Sequence, residues 1–247
     1  MEIFSTIGFD IKDKEDLQQL SQNIFHQCKP IQIPKGLYVL YTDSSGAQLS
    51  LAYNKKEQYY DVRPLFKGLN TWHIAITRKN KRTDLNTIFY GWLAPTDTEE
   101  PESGIYPFAF EVPHFKLFNK LKLPQNVYIK LTAFTLSLNV YNDQNSFYGT
   151  QNTAIKFGSQ SFFSSEAYRE DDDTQNIFPQ PWAMFTGNIK DFELKQNQLT
   201  DKQFYWLLVE TYGGEIDVVA DIHFFKTVPK VGEIISGKFW FSGQIQN

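Results

Sequence analysis

The sequence predicts a mainly β, α+β protein: an antiparallel N-terminal sheet domain with one or two helices, followed by a small C-terminal OB-like (oligonucleotide/oligosaccharide-binding-like) β-barrel. Three observations predict it. Apolar and polar residues alternate with the period of a strand over most of the chain. One segment near the N-terminus carries apolar residues at helical spacing. Near the C-terminus the glycine pair Gly213-Gly214 sits between two apolar runs, as a hairpin turn would. With 247 residues, 41% of them hydrophobic and 16% aromatic, the chain has material for one large or two modest cores.

In chain order, Asp13 is placed to cap a helix on which Leu17, Leu20, Ile24 and Cys28 fall on one stripe, and Pro30 closes it. A shorter helix is expected from Pro113, with Leu117, Phe118 and Leu121 on one side. The stretch "GLYVLYTDSSGAQLSLAYNKKEQYY" reads as a meander with turns at 43–46 and 54–57. "TWHIAIT" and "TIFYGWLA" flank the basic segment "RKNKR", residues 78–82, as a hairpin around a solvated loop. The run 127–141 alternates in two registers that a bulge near Ala133 would reconcile.

Residues 142–181 are rich in Asn, Gln, Ser and acid. They divide the chain into an N-terminal α+β domain over 1–165, an acidic linker over 166–181 and the barrel over 182–247. Strand signals resume in "AMFTGNIKDFEL", "QFYWLLVETY", "GEIDVVAD" and "GEIISGKFWFSGQI". The interval between Asp221 and Gly232 is too short for the helix usual in such barrels. "FTGNI", "FSGQI" and "FYGWL" echo one another around a glycine, which suits strands that coil sharply.

A two-residue Gly213-Gly214 turn would place Glu210 opposite Asp217, a repulsive pairing. Leu207, Val209, Ile216 and Val218 would line the barrel interior. The other face would mix acids with rings, and Trp206, Glu210, Tyr212, Glu215, Asp217, Lys238 and Trp240 are the candidate partner-binding residues. Lys238 is one counter-charge at hand, with a bound cation, a basic partner or simple exposure to water as the alternatives; the rings on this face suggest a cover, either a basic protein partner or the protein's own N-terminal domain.

The hairpin sequence "FYWLLVETYGGEIDVVAD" with "VGEIISGKFWFSGQI" resembles the C-terminal half of a bacterial protein family that has no assigned activity. The likeness extends to "ESGIYPFAFEVPHF" and "FSTIGFDI". It implies a soluble, bacterial, full-length unit and transfers no site. Gln244 stands where the family pattern has arginine, which puts an anion-binding role there in doubt.

Other chemistry finds little purchase. His26, His73, His114 and His223 are scattered without ligand spacing. The acids Asp97, Glu99, Glu100 and Glu102 lack the order of a calcium loop, so neither metal nor cofactor is expected. Cys28 lies on the apolar stripe, and no serine elbow or phosphate-binding glycine loop is visible. The net charge of −4 and the acids on the barrel's customary binding surface oppose phosphate, so nucleic acid is not the expected partner. No apolar run reaches membrane-spanning length, there is no N-terminal leader pattern, and the lone cysteine suits a reducing compartment; a cytoplasmic protein is expected. The reading is a non-enzymatic binding or interaction protein. The alternatives are a metal-assisted or carboxylate-based hydrolase and a nucleic-acid-binding module.

Overall fold

The computed structural model describes residues 2–33, 36–56, 58–81, 86–97, 99–115, 121–152, 156–168 and 178–246. The protein is strand-rich, mainly β with an α+β N-terminal part. A four-stranded antiparallel sheet has the order β1-β2-β3-β4, formed by β1 (Ile31–Ile33), β2 (Gly36–Thr42), β3 (Ala47–Asn54) and β4 (Tyr59–Phe66). The expected meander is β2–β4. Its first turn is tied by Asp43, whose carboxylate accepts from the Ser45 amide at 2.9 Å, with Gly46 at φ +88°.

Two helices stand at the N-terminus, α1 (Glu2–Ser5) and α2 (Lys14–Gln27). Asp13 caps α2 by accepting from the amides of Glu15 and Asp16, and the Asp16 carboxylate reaches back to the Lys12 amide. Ile24 is fully buried, and Leu17, Leu20 and Cys28 pack around it. The helix expected from Pro113 falls largely on 116–120, outside the described residues.

The second sheet has nine strands: β5 (Thr71–Lys81), β6 (Thr87–Leu93), β7 (Pro107–Val112), β8 (Gln125–Tyr141), β9 (Ser161–Ser164), β10 (Trp182–Gln196), β11 (Gln203–Thr211), β12 (Gly214–Asp221) and β13 (Ile234–Ile245). Its pairings close two rings. The first runs β8-β5-β6-β7-β13 and back to β8; the second runs β13-β10-β11-β12-β8 and back to β13. Each ring has a single parallel contact among its antiparallel ones, β7 with β13 in the first and β12 with β8 in the second. Exchanging β8 and β13 converts one circuit into the other. Each long strand thus gives one half to its own three-strand meander and the other half to its counterpart's. Both interiors drain into one continuous core that includes Phe108, Phe110, Ile129, Leu207, Val218 and Phe241.

This arrangement corrects several expectations. The strands of 182–247 do not close on themselves, because β8 stands between β12 and β13; the barrel takes a strand from the expected N-terminal domain. Most of the expected linker, 169–177, lies outside the described residues. The short link after Asp221 holds one 3-10 turn, Ile222–Phe224. Arg78, Lys79 and Asn80 of the basic segment are exposed, as expected, but they are strand and not loop, pairing within β5 against Tyr90, Phe89 and Ile88; Arg82 lies outside the described residues. The Arg78 guanidinium lies 4.1 Å over the Tyr90 ring.

The bulge of β8 falls at Leu136, where Lys238 pairs with Ser137 and Phe239 with Thr135, and not near Ala133. Before it Ile129, Leu131 and Ala133 enter the barrel core; after it Leu138 and Val140 pack there. Phe134 points to the other side, into the cluster beneath β3 and β4, and that burial displaces the bulge. The echoed glycines Gly91, Gly187 and Gly243 lie on strands that are not equivalent in the two rings. Each is pressed on a neighbouring strand: an added Cβ would meet Ala75 O at 2.4 Å, Glu210 O at 2.6 Å and Ile129 Cδ1 at 2.7 Å respectively.

Candidate functional site

The hairpin β11–β12 turns one residue earlier than its sequence suggests. Thr211 pairs with Gly214, so Tyr212 and Gly213 form the turn and Glu210 faces Glu215 in place of Asp217. The frame is fixed by the first barrel. Gly213 has φ +101°, a Cβ there would lie 2.6 Å from Leu93 Cδ2, and the Tyr106 hydroxyl donates to Tyr212 O at 2.8 Å. The slip of two residues across the pair preserves each strand's facing, so the inner residues stay inside.

The seven candidate residues divide among three environments. Trp206 and Asp217 are buried, the latter completely. Asp217 Oδ1 accepts the Trp206 indole N–H at 2.7 Å, and its Oδ2 accepts the amides of Leu69 at 3.0 Å and Asn70 at 2.8 Å. It thereby holds the link between the two sheets. Around it Trp206, Val219 and Phe134 share a core with Leu49, Leu51, Val62 and Phe66, so this part of the expected outer face is covered by the protein's own N-terminal sheet.

At the tip Tyr212 and Glu215 are exposed, and Glu210 is half-buried. The counter-charge of Glu210 is Lys190 at 3.4 Å, with Gln160 donating at 3.0 Å; it is not Lys238. Lys238 lies 4.0 Å over the Trp182 ring. Trp240 donates to Glu111 Oε2 at 3.1 Å.

A second constellation was not legible in the sequence. Ser50 on β3, Asp61 on β4 and His114 after β7 meet between the small sheet and the first barrel. Ser50 Oγ lies 2.5 Å from His114 Nδ1, and His114 Nε2 lies 3.5 Å from Asp61 Oδ2. Asn86 donates to Asp61 at 2.7 Å, and the Arg63 Nε stands 3.1 Å from its other oxygen. Burial pushes the Asp61 carboxyl upward, but the His114 contact and the Arg63 charge outweigh it and hold the group below its ordinary value. These are the residue types of a nucleophilic triad. Here, however, Ser50 and His114 are completely buried and Asp61 is 7% exposed, so no substrate reaches them. The ring is also reversed relative to a catalytic triad, in which the nucleophile bonds Nε2 and the acid Nδ1. Positions 50, 61 and 114 share no motif that could have announced the meeting.

Among the other expected groups, His26 and His223 are exposed and His73 stacks on Tyr128 at 5.0 Å. Among the described residues, no three His, Cys, Asp or Glu side chains are placed to hold a metal ion. Asp97 accepts the Glu99 amide, so the acidic loop binds its own backbone. Gln244 donates to Gln48 at 3.1 Å and joins the barrels to the small sheet. No described helix is long and apolar enough to cross a membrane.

An open groove of about 180 Å³ lies at the end of the second barrel, bounded by β8, α3 (Gln144–Gly149), β9, β10 and β13. Its walls are Tyr141, Phe147, Phe157, Phe163, Met184 and Phe185. Phe157 is 50% and Met184 38% exposed, so apolar surface is presented to solvent at its mouth. Gln151, Ser161, Thr186 and Ser236 complete the lining. The Thr186 and Ser236 hydroxyls bond each other at 3.1 Å, while the Ser161 hydroxyl is buried with no partner among the described residues. A sequence signal existed: Phe147, Tyr148, Phe157, Phe162 and Phe163 stand in a stretch otherwise rich in Asn, Gln and Ser.

No protein-family model matches the chain, and no curated protein matches it at a significant level.

Proposed function

We propose that this is a non-enzymatic binding protein that contacts its ligand through the groove on the second barrel. The carrying observation is that groove: concave, lined by rings, and, among the described residues, exposing the apolar side chains of Phe157 and Met184 at its mouth. The contrast with the Ser50–His114–Asp61 contact supports it, since the groups best suited to nucleophilic chemistry are sealed and serve cohesion. The carboxylate-hydrolase reading needs two acids converging on an open cleft, yet Glu210 pairs with Lys190 outside while Asp217 is held by Trp206 inside. The nucleic-acid reading needs β11 and β12 open, and Trp206 and Val219 on those strands pack under the small sheet. A bacterial, cytoplasmic setting belongs to the same proposal, supported by the sequence resemblance and the single cysteine.

The test is a thermal-shift screen of the full chain against neutral, acidic and basic small molecules. At least one compound should raise the unfolding temperature of the wild type and of Glu210→Gln but not of Met184→Glu, which places a charge at the groove mouth. No stabilising compound, or a response lost in Glu210→Gln and kept in Met184→Glu, sinks the proposal.

A further inference from the structure

We infer that the groove takes one uncharged aromatic ring bearing a hydrogen-bonding substituent, a phenol-like small molecule; this rests on the groove being the contact surface. Size sets the first limit. A volume of about 180 Å³ is comparable to the engineered apolar cavity of about 150 Å³ that binds benzene. It falls below the roughly 300–1,000 Å³ of sites for drug-sized ligands. One ring with a short substituent fits; a nucleotide does not.

Charge sets the second limit. The described lining residues carry no ionisable acid or base other than the Tyr141 phenol. A carboxylate or ammonium would shed part of its hydration against these rings, and no described lining side chain offers it an opposite charge. Shape sets the third. Phe157 and Phe163 meet edge to face at 5.3 Å and 75°, and Tyr141 and Phe147 at 5.2 Å and 79°. Walls so arranged offer both ring edges and ring faces to a further ring, and the Met184 thioether adds a polarisable contact.

The fourth feature is the Ser161 hydroxyl. It is buried with no partner among the described residues, although its backbone carbonyl accepts from Thr211 Oγ1 at 3.3 Å. A buried hydroxyl left unpaired is costly; Ser161 lines the groove, so a turn about its Cα–Cβ bond on binding brings the hydroxyl to a substituent and recovers that cost. The hydroxyl of a phenol, as donor or acceptor, is suited to this.

The chain has two methionines, Met1 and Met184. The Met184 methyl is therefore a reporter inside the groove, with Met1 as its internal control. In the full-length protein labelled with methyl-¹³C methionine, phenol should produce a saturable ring-current shift of the Met184 methyl. Cyclohexanol should bind more weakly, and benzoate and benzylamine should leave the signal in place. Ser161→Ala should weaken phenol about five- to tenfold, the loss of one buried hydrogen bond. Phe163→Ala should weaken it further, with both variants checked for a wild-type spectrum away from the groove. An unsaturable response to phenol, an equal response to benzoate, or unchanged affinity in either variant overturns the inference. If phenol fails while another compound stabilises the wild type but not Met184→Glu, the ring is wrong and the binding surface stands.

Discussion

Trp206 donates its indole N–H to Asp217 across the hairpin at 2.7 Å, and with that bond the central acid of the hairpin belongs to the interior. Asp217 faces Leu208 in the ladder, and its second oxygen gathers the backbone of residues 69 and 70, so one carboxylate joins the second barrel to the connection leading from the small sheet. Asp217→Ala leaves several buried donors without an acceptor and is expected to cost about 3 kcal/mol. Asp217→Asn keeps an acceptor and is expected to cost about half as much. Urea unfolding with an unchanged m-value checks both; a loss below about 0.5 kcal/mol for the alanine variant would contradict the role.

Asp61 makes stability depend on acid. Its carboxyl is held below the ordinary value of 3.8, so the folded state releases the proton more readily than the unfolded chain. The contribution is complete above the unfolded value and disappears as pH falls through the lower folded value. Stability measured by chemical denaturation from pH 7 to pH 3 should therefore fall more steeply in the wild type than in Asp61→Asn. Parallel curves would show that His114 and Arg63 do not favour the charged form.

The turn tests the packing of the two barrels. Gly213→Ala puts a Cβ into Leu93 and Tyr106 at a backbone of φ +101°, whereas Gly214, at φ +137°, has nothing within 4 Å of such an atom. Both substitutions strain the backbone, and the first adds a collision. Gly213→Ala is expected to lose about 1–2 kcal/mol more than Gly214→Ala in thermal or urea unfolding.

Strand sharing makes a prediction about fragments. Residues 182–247 alone lack β8, which leaves the edges of β12 and β13 unpaired and a gap in the core where Leu131 and Ala133 belong. The fragment should show no cooperative thermal transition by circular dichroism. A sharp transition would mean that the barrel closes without its borrowed strand.

The sequence by itself determined the fold class, the Asp13-capped helix, the β2–β4 meander and the inward residues of the hairpin. Each of these follows from neighbours a few positions apart, where the period of burial or a capping side chain acts directly. The rings within 142–163 were passed over, because a stretch rich in Asn, Gln and Ser reads as loop and nothing in their spacing shows what they build. Tertiary structure alone decided that β8 and β13 serve two barrels, that Phe134 displaces the bulge, and that Gly213 slips the turn against Tyr106. It alone brought Ser50, Asp61 and His114 together, buried Asp217 and gathered the groove from five elements. The reason is one of range. Periodicity says which side of a strand seeks cover, but what covers it is another strand far along the chain, and that partner decides whether a carboxylate meets water or an indole.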